Sequence, residues 1–111
     1  MPIYLQILLY VKRGMVSGKI TDGDPLPSRR SLSALLGVNP NTVQKAYHLL
    51  EEEGLILSQS GAKSLVSLDD EKLSRVRKEL LESDIRTVIA ALKQAGLTKQ
   101  EALSLMEAHW E

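Results

Sequence analysis

The side chains best suited to chemistry lie in LLGVNPNTVQKAYHLL, residues 35–50. Asn41, Gln44, Lys45 and His48 recur at steps of three, one and three. At about 100° per residue that spacing puts them on one face of a helix. Val43, Ala46, Tyr47 and Leu50 fall on the opposite face. An amide side chain on a helix can bond an adenine edge through a paired donor and acceptor, and a lysine reaches guanine acceptors or a phosphate. Recognition by hydrogen bonding is therefore the chemistry this set can perform. Bond-making chemistry is not. There is no cysteine, so thiol nucleophiles, thiolate metal sites and disulfides are excluded together. His109 is the only other histidine, which leaves His48 solvated or beside a phosphate and supports no metal site. Asp22 and Asp24 are paired carboxylates in spacing alone, on a turn. Neither an enzyme nor a cofactor is expected.

The face must be positioned by what precedes it. Ser28 is a good cap for a short helix burying Leu32, Leu35 and Leu36 and stopping at Gly37. Asn39 then caps a second helix with Pro40 in its first turn, running to about Glu53. Two short helices joined by a Gly-containing turn match either an ordinary helical hairpin with a solvated polar face or a helix-turn-helix, whose second helix enters the DNA major groove. Asn39, Asn41, Thr42 and Gln44 then stand at its leading end, with Lys45 and His48 one turn on. Thr42 either supports the helix start or reaches the DNA. Free N–H groups and the positive end of the helix dipole suit a phosphate there. A first-turn arginine opposes that dipole, so adjacent Arg29 and Arg30 make better sense facing phosphate. Glu51 to Glu53 lie at the far end, where they repel DNA least.

Next comes LILSQSGAKSLVSL, two short apolar runs around a polar turn, which predicts a β-hairpin. A hairpin after a helix-turn-helix is the winged arrangement. Its tip carries Gly61, suited to close backbone approach or simply to the turn, and Lys63, suited to a charge contact or to solvent.

The remaining elements form the frame. Pro2 to Ser17 reads as a helix with Ile3, Ile7, Val11 and Met15 on a buried stripe, and KITDGDPLP as a loop. The apolar stretch IYLQILLYV is too short to span a bilayer, and Lys12 and Arg13 follow it, the wrong charge order for a secretory signal. A protein of the cytoplasm, with no membrane partner, is expected. From Asp69, Leu73, Val76, Leu80, Leu81, Ile85, Val88 and Leu92 share one face of a long helix that stops at Gly96. Thr98 and Glu101 form a capping box for a last helix. The 111 residues carry 14 basic and 14 acidic side chains, with a weak basic excess in residues 1–66 and a weak acidic excess beyond. Zero net charge is the best support for a competing function, a winged module that binds protein and not DNA.

The expected fold is mainly α with a small β-hairpin: a winged helix-turn-helix over 1–68, then a two-helix dimerisation region over 69–111. The last 45 residues are too few to enclose an effector pocket. Their broad apolar face is better explained by a second copy of the chain than by packing onto the winged domain alone, with Leu81, Ile85, Val88 and Leu92 partly against the partner and Leu5, Leu9 and Val16 covering part of the same surface. A small-molecule effector is not located by the sequence.

PIYLQI (2–7), Gly18, LPSRRSLSALLGV (26–38), NTVQKAYHLLEEEGLI (41–56) and SGAKSLV (60–66) together resemble the GntR family of bacterial transcriptional regulators. AGLTKQEALSLMEAHW after a longer helix resembles the short YtrA-type subgroup. The resemblance implies a homodimer on an inverted-repeat DNA operator, usually repressing. It also implies that Arg30 contacts the DNA backbone or a base near the start of the helix that Ser28 caps, that Asn39, Asn41, Thr42 and Gln44 lie at the recognition-helix start, that Lys45 meets phosphate, and that Gly61 reaches the minor groove. The wing departs from the usual G-x-G-T-F-V, having Lys63 for the second Gly and Leu65 for the aromatic. Pro40 stands where many members carry Arg or another polar residue.

Overall fold

A computed structural model describes residues 1–59 and 63–111. The elements are α1 (Ile3–Ser17), β1 (Pro25–Leu26), α2 (Arg29–Leu36), α3 (Pro40–Glu52), β2 (Ile56–Gln59), β3 (Lys63–Val66), α4 (Asp70–Gln94) and α5 (Lys99–His109). Two compact units result, Met1–Arg77 and Lys78–Glu111. The first turns of α4 belong with the winged unit: Val76 is fully buried, and Lys72 Nζ donates to the Gly54 carbonyl at 2.7 Å and to Ser67 Oγ at 3.1 Å.

The core of the first unit is almost entirely aliphatic, as a chain without Phe requires. Ile7, Val11 and Met15 of α1 are buried along the expected stripe, together with Val43, Ala46, Tyr47 and Leu50 of α3 and Leu55, Ile56 and Val66 beside and within the sheet. Ile3 is about half exposed, being at the helix start, where no further turn covers it. Lys12 is buried although charged, because Glu53 meets its Nζ at 2.8 Å. Gly14 of α1 lies close under Ile20: a Cβ there would stand 2.6 Å from Ile20 Cδ1, so any larger residue would make that side chain shift.

The hairpin forms as expected, with Ile56 opposite Val66 and Gln59 opposite Lys63. The loop assignment for residues 19–27 needs correction. Pro25 and Leu26 pair with Leu65 and Ser64, giving a three-stranded antiparallel sheet in the order β1-β3-β2. Two prolines signal a loop, but proline is tolerated on a short edge strand, where its missing N–H is not needed by a neighbour. The segment is fastened by Gly23 N–H to the Val66 carbonyl and Val66 N–H to the Asp24 carbonyl, both at 2.8 Å.

Helix α2 also differs from expectation. Leu35 is 79% exposed and Leu36 is largely exposed, while Ser33 is buried. With eight residues, α2 has barely two turns. Leu35 lies about 200° round from Ser33 and so points away from α3. Gly37, at φ 66, turns the chain, and the Ser33 carbonyl accepts from both Gly37 and Val38 N–H.

In the second unit, the end of α4 and the start of α5 are joined through Gly96 (φ 82), with Leu97 N–H returning to the Leu92 carbonyl at 3.1 Å. The capping box is present: Thr98 Oγ1 accepts from Glu101 N–H, and the Glu101 carboxylate accepts from Thr98 N–H. That backbone donation holds the Glu101 carboxyl below its ordinary range, with the Thr98 hydroxyl contributing. Leu81, Ile85, Val88 and Ile89 of α4, and Leu103, Leu105, Met106 and Trp110 from α5 and its end, are exposed. Among the described residues no helix is long and apolar enough to cross a membrane.

Candidate nucleic-acid interface

α3 carries the site, and its two faces are sharply divided. Val43, Ala46, Tyr47 and Leu50 are at most 1% exposed, whereas Asn41, Gln44, Lys45 and His48 all face solvent. The apolar side fixes the rotation of the helix, and that rotation is what aims the amides outward. Asn39 begins α3 as expected, its Oδ1 accepting from Asn41 N–H at 2.8 Å, with Pro40 in the first turn. Thr42 N–H donates to the Asn39 carbonyl at 2.9 Å, and Thr42 is half-buried. The expectation of free N–H groups at this helix start is thereby corrected at two positions. Pro40 has no N–H, and those of Asn41 and Thr42 are already bonded, so side chains must do the contacting.

Arg29 and Arg30 divide. Arg30 is exposed. Arg29 turns inward: its Nη2 donates to Glu51 Oε1 at 2.9 Å, its guanidinium carbon lies 5.2 Å from the centre of the Tyr47 ring, and its Nε is buried without a hydrogen-bond partner. The reading of Arg29 as a phosphate-facing side chain is thus corrected, because its charge is matched within the unit. Ser58 of β2 also donates to Glu51. One carboxylate therefore ties α2, α3 and the wing strand together, an arrangement built to keep the outward faces in fixed register.

Tyr47 completes the arrangement by donating its hydroxyl proton to the Pro27 carbonyl at 2.8 Å. Burial raises the Tyr47 phenol above its ordinary value of 10.0, partly offset by the Arg29 charge. As pH rises, an unfolded chain gives up this proton first, so the stability present below about pH 10 falls as pH climbs through the folded value. A Tyr47→Phe variant is expected to lose that part of the alkaline decline in thermal melts.

The three glutamates after α3's contact face each meet a basic side chain. Glu51 meets Arg29, Glu52 Oε1 lies 2.9 Å from His48 Nε2, and Glu53 meets Lys12 at 2.8 Å. Sequence spacing located the glutamates but not these partners, since two of them lie 22 and 41 residues away. Tyr4 was missed for the same reason. Its ring centre lies 4.0 Å from Lys45 Nζ. Lys63 begins β3 and is exposed, and Gly61 lies outside the described residues. Of the side chains expected between subunits, Leu5, Leu9 and Val16 are half-buried on α1, Leu92 is half-buried on α4, and Leu81, Ile85 and Val88 are exposed. Among the described residues no group of three or more His, Asp or Glu side chains could hold a metal ion.

Residues 3–66 match the family model described as bacterial regulatory proteins, gntR family. The chain is 31% identical to the uncharacterised HTH-type transcriptional regulator YhcF of Bacillus subtilis, over 92% of this chain and 84% of that one. It is 38% identical to the HTH-type transcriptional repressor YtrA of Bacillus subtilis, over 71% of this chain and 65% of that one. Among solved structures, a GntR family transcriptional regulator from Listeria monocytogenes superposes with a TM-score of 0.82 at 28% identity, covering 99% of this chain and 96% of the other. With a winged helix-turn-helix that presents amides and a lysine on its second helix, this chain belongs to the GntR family of DNA-binding transcription regulators, among its YtrA-type members, and is not an enzyme.

Proposed function

We propose that the protein is a cytoplasmic repressor that binds an inverted-repeat operator as a homodimer. The observation that carries this reading is the outward face of α3, where Asn41, Gln44, Lys45 and His48 are exposed above a fully buried opposite face. The name of the relative YtrA, a transcriptional repressor, supports the direction of regulation. Arg30 and Lys63 flank the face as cations for the DNA backbone. Asn41 and Gln44 read base edges, with Asn39 and Thr42 supporting the helix start. Arg29 acts from within the fold, through Glu51.

Selection of bound duplexes from random DNA tests the reading, since a symmetric dimer enriches two half-sites about one helical turn apart or at a multiple of that spacing. Within the enriched site, Gln44→Ala should relax preference at one base position by about 1–3 kcal/mol. Unchanged ranking of operator variants would remove Gln44 from the recognition face. Arg30→Ala and Lys63→Ala should instead weaken binding to every sequence and flatten the salt dependence.

A further inference from the structure

We propose that Tyr4 of α1 is a positioning residue for DNA binding, holding the Lys45 ammonium ready for a phosphate. This rests on the reading of Lys45 as a backbone contact. The observation is the placement of Lys45 Nζ 4.0 Å from the centre of the Tyr4 ring, well within the range of about 6 Å at which a ring face attracts a cation. Lys45 is itself exposed and lies on the outward side of α3, while Tyr4 is half-buried and anchored on the first turn of α1.

The contrast with the other basic side chains of the unit shows what the ring achieves. Lys12 and Arg29 are held by Glu53 and Glu51, so their positive charge is matched locally. Among the described residues no carboxylate pairs with Lys45. A ring face attracts the ammonium through its quadrupole without carrying a compensating charge. An ammonium has three N–H donors, so one turned toward a ring leaves others for phosphate oxygens. A free lysine loses considerable rotamer freedom when it binds, and a side chain already ordered over a ring loses less. α1 thus contributes to the interface without supplying a DNA ligand.

The test uses the full-length protein and a mixed-sequence double-stranded DNA fragment, because phosphate contacts act on any duplex. Affinity is measured over a salt series for the parent, Tyr4→Phe, Tyr4→Leu, Lys45→Met and the Tyr4→Leu/Lys45→Met double variant. Lys45→Met is expected to lower the magnitude of the salt slope by about 1. Tyr4→Leu should weaken binding about two- to fivefold, Tyr4→Phe should match the parent because the ring face is kept, and the Tyr4→Leu effect should vanish when Lys45 is already Met. An equal Tyr4→Leu loss in the Lys45→Met background would overturn the positioning role while leaving Lys45 as a phosphate contact. An unchanged slope in Lys45→Met would overturn the phosphate contact itself and the proposal with it. Melting temperatures of all variants keep a folding defect from passing as a binding one.

Discussion

Tyr47→Ala is expected to destabilise the Met1–Arg77 unit by about 3–5 kcal/mol, the range for truncating a buried aromatic ring. Tyr47 is the largest of the fully buried side chains, and three separate contacts converge on it. Its hydroxyl holds the Pro27 carbonyl just ahead of α2, the Arg29 guanidinium lies over its ring, and the ring itself fills the inward face of α3. Against a typical total of about 5–15 kcal/mol, that loss brings a small domain close to unfolding at ordinary temperature. Urea denaturation at one fixed protein concentration measures it, because any self-association adds a concentration-dependent term. Tyr47→Phe separates the contributions: it removes only the hydrogen bond to Pro27, at a cost of about 1 kcal/mol. If alanine were no worse than phenylalanine, the ring would not be holding α3 in place, and the fixed rotation of the recognition face would need another explanation.

Much of this framework was legible in the chain. The rotation of α3 follows from Val43, Ala46, Tyr47 and Leu50 at helical spacing, and its start from Asn39-Pro40, because periodicity and caps are local. The Thr98–Glu101 box and the stop at Gly96 are local in the same sense. What stayed hidden depended on distance along the sequence. Arg29 and Arg30 look alike as neighbours, and only the arrival of Glu51 and Tyr47 from α3 draws one inward. Pro25 and Leu26 become a strand only because β3 comes alongside. Lys12 follows an apolar run, and nothing local in the sequence shows that Glu53 is brought against it. Leu35 and Leu36 misled in the opposite direction. Three leucines in eight residues suggest a buried stripe, but so short a helix touches its support through Ser33. Charge pairing, sheet edges and helix seating are tertiary facts, and amino-acid type fixes them only loosely.

Ile85→Asp is expected to convert the proposed dimer to a monomer and to weaken binding to a two-half-site duplex by about 10²- to 10⁴-fold. That factor is the gain two linked half-site contacts have over one. Within the Lys78–Glu111 unit, pattern and burial do not match. Leu81, Ile85, Val88 and Ile89 recur at steps of four, three and one on α4, so they lie along one helix face, yet all four are exposed within a single chain, Ile85 by 55%. A contiguous apolar strip of that kind marks an association surface. Aspartate at a site so exposed removes little of the chain's own packing and lowers helix propensity by well under 1 kcal/mol, so the monomer should stay folded. Between subunits the same carboxylate would be desolvated among leucine, isoleucine and valine side chains without a counter-charge, at a cost far larger than the packing lost. Sedimentation or light scattering reads the mass, and circular dichroism confirms that the helices persist. Glu82→Ala, a change at an exposed polar neighbour, should leave the mass unaltered. Binding to a duplex with one half-site should be the same for Ile85→Asp as for the parent, since α3 is untouched. A variant still dimeric at micromolar concentration would move the subunit contact off this strip. A monomer that kept full affinity for the two-half-site duplex would show that one copy suffices for recognition, and the inverted-repeat reading would fall.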